Sequence, residues 1–190
     1  KPASVGLPIE GSVVKIVGSD ENGNDIDLPT GEIGEICVKG PHVMLGYFNN
    51  PEATKEAFNS EGFFRTGDYG YIDSDGYIYI TGRKKNIIIF ENGKNVYPEE
   101  IEEYLSRCEL INECAVVARK VDGEYLITAV IFPNYDMFAG KTDDEIKSEI
   151  KKAVLAVNKT LPSFKQIRNV EIKKSEFEKT TTKKIIRSKI

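Results

Sequence analysis

The sequence has little of the residues from which metal sites and disulfide frameworks are built. Its 190 residues include one histidine and three cysteines. Cys37, Cys108 and Cys114 are odd in number and lack Cys-x-x-Cys spacing, which favours small buried apolar side chains in a reducing, cytoplasmic compartment. His42 has no second histidine to work with, so it is interpreted as a loop residue rather than a metal ligand or triad member. No metal site is predicted in this chain.

Neither sign of charge dominates the sequence, and long apolar runs are absent from it. The formal net charge is −4, so no global attraction to nucleic acid or anionic lipid is expected. No apolar run approaches the roughly 20 residues that cross a bilayer. Glycine-rich phosphate-binding motifs are absent as well. What remains, 40% hydrophobic and 29% charged residues, is typical of one globular domain or two small ones.

The first half of the chain has the pattern of short strands at close spacing. Strands are predicted over 12–17 and 35–39, and a hairpin over 71–81 turns at Asp75-Gly76, a dipeptide that supplies positive φ angles. One short helix is predicted to begin at Pro51, capped by Asn50, and to run to about residue 58. This pattern predicts a small β barrel or sandwich.

The second half alternates helical and strand patterns. The predicted elements are a hairpin over 87–96, a helix from Pro98, strands over 114–118 and 125–132, a helix with a Thr142–Glu145 capping box, and a strand over 170–172. The acidic cluster at 99–103 is interpreted as a solvated helix face, and the tail from Lys173 as basic and polar. The chain is therefore predicted to be α+β, with a β-rich, barrel-like subdomain over 1–83, a compact α+β domain over 84–190, and a joint at about 82–86.

One carboxylate and one guanidinium are candidates for a nucleotide site. Asp68 follows Arg65-Thr66-Gly67, interpreted as a glycine turn, and its two acceptor oxygens suit the vicinal hydroxyls of ribose. Arg83 lies on the strand that returns from the hairpin, where it can orient a sugar or a phosphate. The alternative is that the segment around Asp68 is a solvated turn and the segment around Arg83 is a charged loop.

Six segments keep one order along nearly the whole chain: 31–36, 46–51, 64–68, 82–101, 161–164 and 180–187. Together they resemble the carboxyl-terminal portion of the AMP-forming acyl-CoA synthetases, in the adenylate-forming superfamily. The amino-acid sequences of segments 93–100 and 177–180 are most similar to those of bacterial long-chain fatty acid–CoA ligases.

The resemblance implies a two-step reaction in the cytoplasm. A fatty acid carboxylate attacks the α-phosphate of ATP, and coenzyme A then replaces AMP. The family's phosphate loop and acyl pocket lie upstream of the matched segments, as does the site for Mg²⁺. The chain is therefore expected to be a fragment that lacks the amino-terminal part of the same enzyme and is inactive alone, with peripheral membrane contact possible for the whole protein.

The resemblance also implies roles for individual residues. Asp68 and Arg83 would bind the nucleotide through its ribose hydroxyls. Lys84 would lie beside the pivot and Lys85 would be the hinge residue whose backbone torsions change. Gly93 would belong to the loop that completes the tunnel for the pantetheine arm of coenzyme A, where the missing side chain leaves room.

The same resemblance identifies Lys184 as the catalytic lysine, which would bridge carboxylate and phosphate oxygens during adenylation. The family usually has glycine before this lysine, whereas this chain has Lys183. Lys183 is therefore an alternative for the active group, and the register with Ile185 and Arg187 favours Lys184.

Two other classes of function stay open on the sequence. One is a different adenylate-forming enzyme, such as an aryl-CoA ligase or a carrier-protein loading domain. The other is a noncatalytic binding module that retains Asp68 and Arg83.

Overall fold

A computed structural model describes residues 1–90 and 93–190. The chain folds as two compact units, Lys1–Asn86 and Ile87–Ile190. Both helices and strands occur, which confirms the predicted α+β class. Along the described parts of the chain, no helix combines the length and the apolar character needed to cross a membrane.

The first unit is built on a five-stranded antiparallel sheet with the order β2-β1-β3-β4-β5. Its elements are β1 (Val13–Ser19), β2 (Asp25–Asp27), β3 (Gly34–Lys39), α1 (Pro51–Ala57), β4 (Phe64–Ile72) and β5 (Ile78–Arg83). Small apolar clusters on the sheet, such as the one formed by Ile16, Ile36 and Ile78, provide its core. Strand β2 has no counterpart in the sequence prediction.

The predicted helix cap and hairpin of the first unit are confirmed. The Asn50 side chain accepts a hydrogen bond of 3.0 Å from Ala53 N. The hairpin between β4 and β5 closes where Asp73 N donates to Tyr77 O, with Gly76 at φ +84°. This turn sets the register as far as Gly70 and Ile80, and a bulge beyond that pair shifts the register by one residue at the far ends of the two strands.

The second unit packs helices on a three-stranded sheet. Its order is β10-β9-β8, with β8 and β9 antiparallel and β10 parallel to β9. The elements are β6 (Ile88–Ile89), β7 (Asn95–Val96), α2 (Pro98–Ser106), β8 (Ile111–Val121), β9 (Glu124–Pro133), α3 (Asp143–Asn158) and β10 (Asn169–Ile172). Strands β6 and β7 form the predicted hairpin, whose Glu91-Asn92 segment lies outside the described residues.

One apolar core joins both helices of this unit to the sheet. Ile101 and Leu105 of α2 and Ile150 of α3 are fully buried and belong to one cluster with Val116 of β8. Burying each of these side chains is worth roughly 1.5–3 kcal/mol. The Thr142–Glu145 capping box is present at the start of α3.

The prediction of a polar tail after Lys173 is wrong in one respect. Phe177 is 5% exposed and packs with Ala115 and Val130 of the sheet, with Ile185 and Ile190 against the same cluster. The carboxyl-terminal segment is therefore attached to the second unit by an apolar side chain.

Candidate functional site

Asp68 and Arg83 lie opposite each other on neighbouring strands. The register of β4 and β5 pairs the two residues, and Arg83 Nε lies 2.6 Å from Asp68 Oδ1. The Asp68 side chain is 24% exposed and that of Arg83 is 49% exposed. Because an ion pair this open to solvent adds at most about 1 kcal/mol of stability, its geometry matters more for what it can bind than for the fold.

The backbone at Asp68 is a strand with a bulge, so the predicted glycine turn is wrong. Thr66, Gly67 and Asp68 of β4 oppose the single residue Ile36 of β3. Gly67 has φ +71°, a conformation that glycine adopts without a steric penalty. Thr66 Oγ1 donates to Ile36 O at 2.7 Å and accepts from Asp68 N at 3.0 Å. The bulge redirects the chain where the carboxylate is placed, as bulges often do beside functional sites.

A buried carboxylate on the neighbouring strand β3 is not among the residues that the sequence predicts for the site. Glu35 is 4% exposed, and its Oε2 accepts from Arg65 Nη1 at 3.0 Å and from Lys84 Nζ at 2.9 Å. Arg65 also donates to Asp25 at 2.5 Å, and this bond, more than Glu35, raises the pKa of Arg65. A charged residue among the buried residues Gly34, Ile36 and Cys37 of β3 is the signal that could have revealed it.

The residues at the end of the first unit differ in their contacts. Lys84–Asn86 form a single 3-10 turn after β5. Lys84 is tied to Glu35 within its own unit, whereas Lys85 is exposed and makes no ion pair or side-chain hydrogen bond with any described residue. The backbone torsions of Lys85 can therefore change without breaking a side-chain contact.

Gly93 belongs to the second unit. It has φ +74°, and a Cβ added there would meet no described atom within 4 Å. Glycine is therefore favoured at this position by the backbone conformation, and the space beside it is open.

Lys184 lies at the tip of a short hairpin. Lys179 and Ile185 form a β bridge, and inside it Thr180 N donates to Lys184 O at 2.8 Å. Lys184 N donates to Thr180 Oγ1 at 3.2 Å, and both Lys183 and Lys184 are exposed. Lys183 has φ +60°, the left-handed region that glycine usually occupies. Lys183, which occupies the position where the family usually has glycine, therefore has the positive φ that glycine favours.

A partly buried ion pair attaches the end of this hairpin to the sheet and to α2. Arg187 Nη2 donates to both carboxylate oxygens of Glu102, at 2.6 and 2.5 Å, and Nη1 donates to Val116 O at 3.0 Å. Burial raises the pKa of Glu102, while Arg187 and the N–H of Val116 oppose that shift. The interpretation of 99–103 as a wholly solvated face is wrong at Glu102, whose side chain is 18% exposed.

Neither a metal centre nor a reactive thiol stands out. Within residues 1–90 and 93–190 no three side chains of His, Cys, Asp or Glu form a group that could hold a metal ion. The three cysteines are free thiols. Burial raises the pKa of Cys37 to about 11 and that of Cys114 to about 12, so neither thiol is activated as a nucleophile.

Comparisons with known proteins find similar sequences along most of this chain. A family model described as "AMP-binding enzyme C-terminal domain" matches residues 85–190, and one described as "AMP-binding enzyme" matches residues 1–48. The long-chain-fatty-acid–CoA ligase of Salmonella typhimurium is 43% identical over 114 residues, which are 60% of this chain and 19% of that protein. The 4-coumarate–CoA ligase 5 of Oryza sativa is 36% identical over 157 residues, which are 82% of this chain and 28% of that protein.

The fold is also similar to that of solved structures. The crystal structure of ATP-bound MatB from Rhodopseudomonas palustris aligns with a TM-score of 0.78 and 32% identity, over 98% of this chain and 35% of that chain. The chain therefore spans about a third of the length of the solved structure and a smaller share of the curated relatives.

Proposed function

The chain belongs to the family of AMP-binding enzymes, as part of their carboxyl-terminal portion, and we propose that the whole protein is an ATP-dependent acid–CoA ligase. Residues 1–83 are then the last β-rich subdomain of the large adenylation domain, and residues 84–190 are the mobile carboxyl-terminal domain. The Asp68–Arg83 pair carries this proposal, because it presents a partly exposed carboxylate whose one oxygen is already oriented by a guanidinium.

In the proposed first step, a carboxylate oxygen of the acid attacks the α-phosphorus of ATP, and pyrophosphate leaves. Asp68 accepts hydrogen bonds from the ribose hydroxyls, and Arg83 holds the carboxylate of Asp68 in place. Lys184 brings one ammonium group to the two anions that must approach each other, on a long side chain that can reach both. The mixed anhydride of the acid with AMP is the product of this step.

In the proposed second step, the sulfur of coenzyme A attacks the acyl carbon, and AMP leaves. A rotation of the carboxyl-terminal domain about Lys85 separates the two steps and exchanges Lys184 for the loop that contains Gly93. The side chain of Lys85 is exposed and forms no ion pair with any described residue. This supports the hinge role, because its backbone torsions can change without the loss of a side-chain contact. The positive φ of Gly93 and the open space beside it support a place for the pantetheine arm.

Mg²⁺ is expected to accompany the phosphates of ATP, as it does at other nucleotide sites. The described residues contain no cluster suited to hold a metal ion, and we assign none of them to it. The ion would offset the negative charge of the phosphates while Asp68, Arg83 and Lys184 orient the reacting groups.

We propose a long-chain fatty acid as the substrate. The 43% identity with the Salmonella typhimurium long-chain-fatty-acid–CoA ligase supports it. The 36% identity with the Oryza sativa 4-coumarate–CoA ligase over a longer stretch makes an aryl acid the second candidate. A panel of fatty, aromatic and short-chain acids, compared by kcat/KM in the full-length enzyme, separates the two, and a preference for coumarate would overturn the fatty acid assignment.

The adenylation step is tested by exchange of labelled pyrophosphate into ATP. The full-length enzyme should catalyse acid-dependent exchange, and Asp68→Ala should raise the KM for ATP roughly 10–100-fold, since hydrogen bonds to a charged group are worth about 1.5–3 kcal/mol each. Asp75→Ala, in the exposed hairpin turn, is the matched control and should leave the KM unchanged. Unchanged exchange in Asp68→Ala would refute the ribose role, and absence of acid-dependent exchange in the wild type would leave the noncatalytic binding module as the better account.

A further inference from the structure

The hairpin that carries Lys184 is too small to hold its own orientation. It contains one β bridge, Lys179–Ile185, and a loop closed by hydrogen bonds at Thr180. Isolated two-stranded hairpins are marginally stable in water. The direction in which the tip points must therefore be set by contacts on either side of it.

The contacts on the two sides involve different partners. Before the hairpin, Phe177 is buried among apolar residues of the sheet. Phe177 N donates to Glu113 Oε2 at 3.0 Å, and Lys179 forms an ion pair with Glu113, so this side is held at its backbone and at its first residue. After the hairpin, Arg187 makes three charge-assisted hydrogen bonds, two to Glu102 of α2 and one to Val116 O of β8. Val116 N donates in turn to Glu102 Oε1 at 2.6 Å. A planar guanidinium held on two sides has one allowed orientation.

We propose that Arg187 and Glu102 are positioning residues that aim the Lys184 hairpin for the adenylation step. The inference rests on the proposed function, because it concerns the lysine that the proposed chemistry uses. Arg187 lies three residues after Lys184, so a change in the direction of the guanidinium shifts the tip of the hairpin. The side chain of Lys184 must reach oxygen atoms of two reactants, so its position depends on the direction in which the tip of the hairpin points.

Neither residue touches the reacting groups in this account. Their side chains are largely buried, with 18% of Glu102 and 24% of Arg187 exposed. They therefore act through the backbone of 184–187. A displacement of about 1 Å from a distant substitution can cost on the order of 10²-fold in rate, whereas the loss of a solvated surface pair costs little.

The test uses Glu102→Gln and Arg187→Lys in the full-length protein. Glutamine keeps the size of Glu102 but loses one acceptor, and lysine keeps the charge of Arg187 but loses the two-point geometry. Adenylation kcat should fall roughly 10–100-fold with little change in the KM for ATP. Thioester formation from supplied acyl-adenylate should stay within about twofold, which also shows that the carboxyl-terminal domain is folded.

Lys189→Gln is the matched control. Lys189 pairs with Glu178 on the same segment, but both side chains are more than half exposed. This variant should behave as wild type in both half-reactions. The double variant Glu102→Gln/Arg187→Lys should be about as slow as either single variant, because residues that act as a unit are not additive.

Hydrogen exchange gives a readout that does not depend on activity. In Glu102→Gln, amide exchange should become faster in peptides that cover 178–190 and stay unchanged in β9 and β10, whose amides do not bond to Glu102. Equal losses in both half-reactions, or wild-type exchange over 178–190, would overturn the inference while leaving the proposed function intact. A wild-type enzyme that forms no acyl-adenylate would overturn both.

Discussion

Replacement of Lys183 with glycine is expected to stabilise the second unit. Lys183 has φ +60°, where a residue with a Cβ carries a steric penalty of about 1–2 kcal/mol. Its backbone N–H donates to Thr180 O at 2.9 Å, and glycine keeps that bond. The side chain is exposed, and among the described residues it forms no ion pair, so its loss removes little.

The expected gain is the steric relief less the entropy that glycine adds to the unfolded chain. That entropy is worth about 0.4–1 kcal/mol, so Lys183→Gly should raise the free energy of unfolding by about 0.5–1 kcal/mol. For a unit of about 100 residues this corresponds to a rise in Tm of about 2–8 °C. Lys183→Ala removes the same charge but keeps the Cβ, so its Tm should stay within about 1 °C of wild type.

Calorimetry of the three proteins measures this difference directly. A Tm of Lys183→Gly at or below that of Lys183→Ala would refute the assignment of a strained backbone to this residue. The same variants also decide between the two lysines, because adenylation should persist in both if Lys184 is the active group. Loss of pyrophosphate exchange in Lys183→Gly would transfer the catalytic role to Lys183.

Three further predictions concern the hinge, the thiols and the core. Lys85→Pro should impair thioester formation more than adenylation, since proline restricts φ, while Lys85→Ala should spare both; equal kinetics in all three proteins would remove Lys85 from the hinge. Iodoacetamide at pH 8 should label Cys108 first by mass spectrometry, because the raised pKa values of Cys37 (about 11) and Cys114 (about 12) leave little thiolate; early labelling of Cys37 would contradict its burial. Ile150→Ala should lower the free energy of unfolding by about 2–5 kcal/mol in urea titrations, since the side chain is fully buried, and a loss under 1 kcal/mol would contradict the packing of α3.

The sequence predicts an element correctly where residues close together in the chain determine its structure. The Asp75-Gly76 turn predicts the hairpin that brings Arg83 near Asp68. A bulge beyond Gly70 then shifts the register by one residue and puts Arg83, rather than Gly82, opposite Asp68. The Thr142 capping box predicts the start of α3. The glycine at position 67 predicts a turn but occupies a bulge, since glycine with a positive φ suits both, and only the pairing with β3 distinguishes them.

The sequence did not reveal two carboxylates that the fold pairs with distant cations, Glu102 and Glu35. Glu102 lies in an acidic run whose pattern predicts a solvated helix face, and its partner Arg187 is 85 residues away in the sequence. Glu35 is likewise paired with Lys84 across 49 residues. Such pairings arise from tertiary packing and leave no periodic pattern, so a single sequence cannot predict them.

The most direct test of the account is the effect of Lys184→Ala on the two half-reactions of the full-length enzyme. Pyrophosphate exchange should fall by about 10²–10³-fold or more, since the lysine charge acts where negative charge develops. Thioester formation from supplied acyl-adenylate should remain close to wild type. Equal losses in both half-reactions would show that Lys184 has a structural role, and unchanged exchange would contradict its place in catalysis.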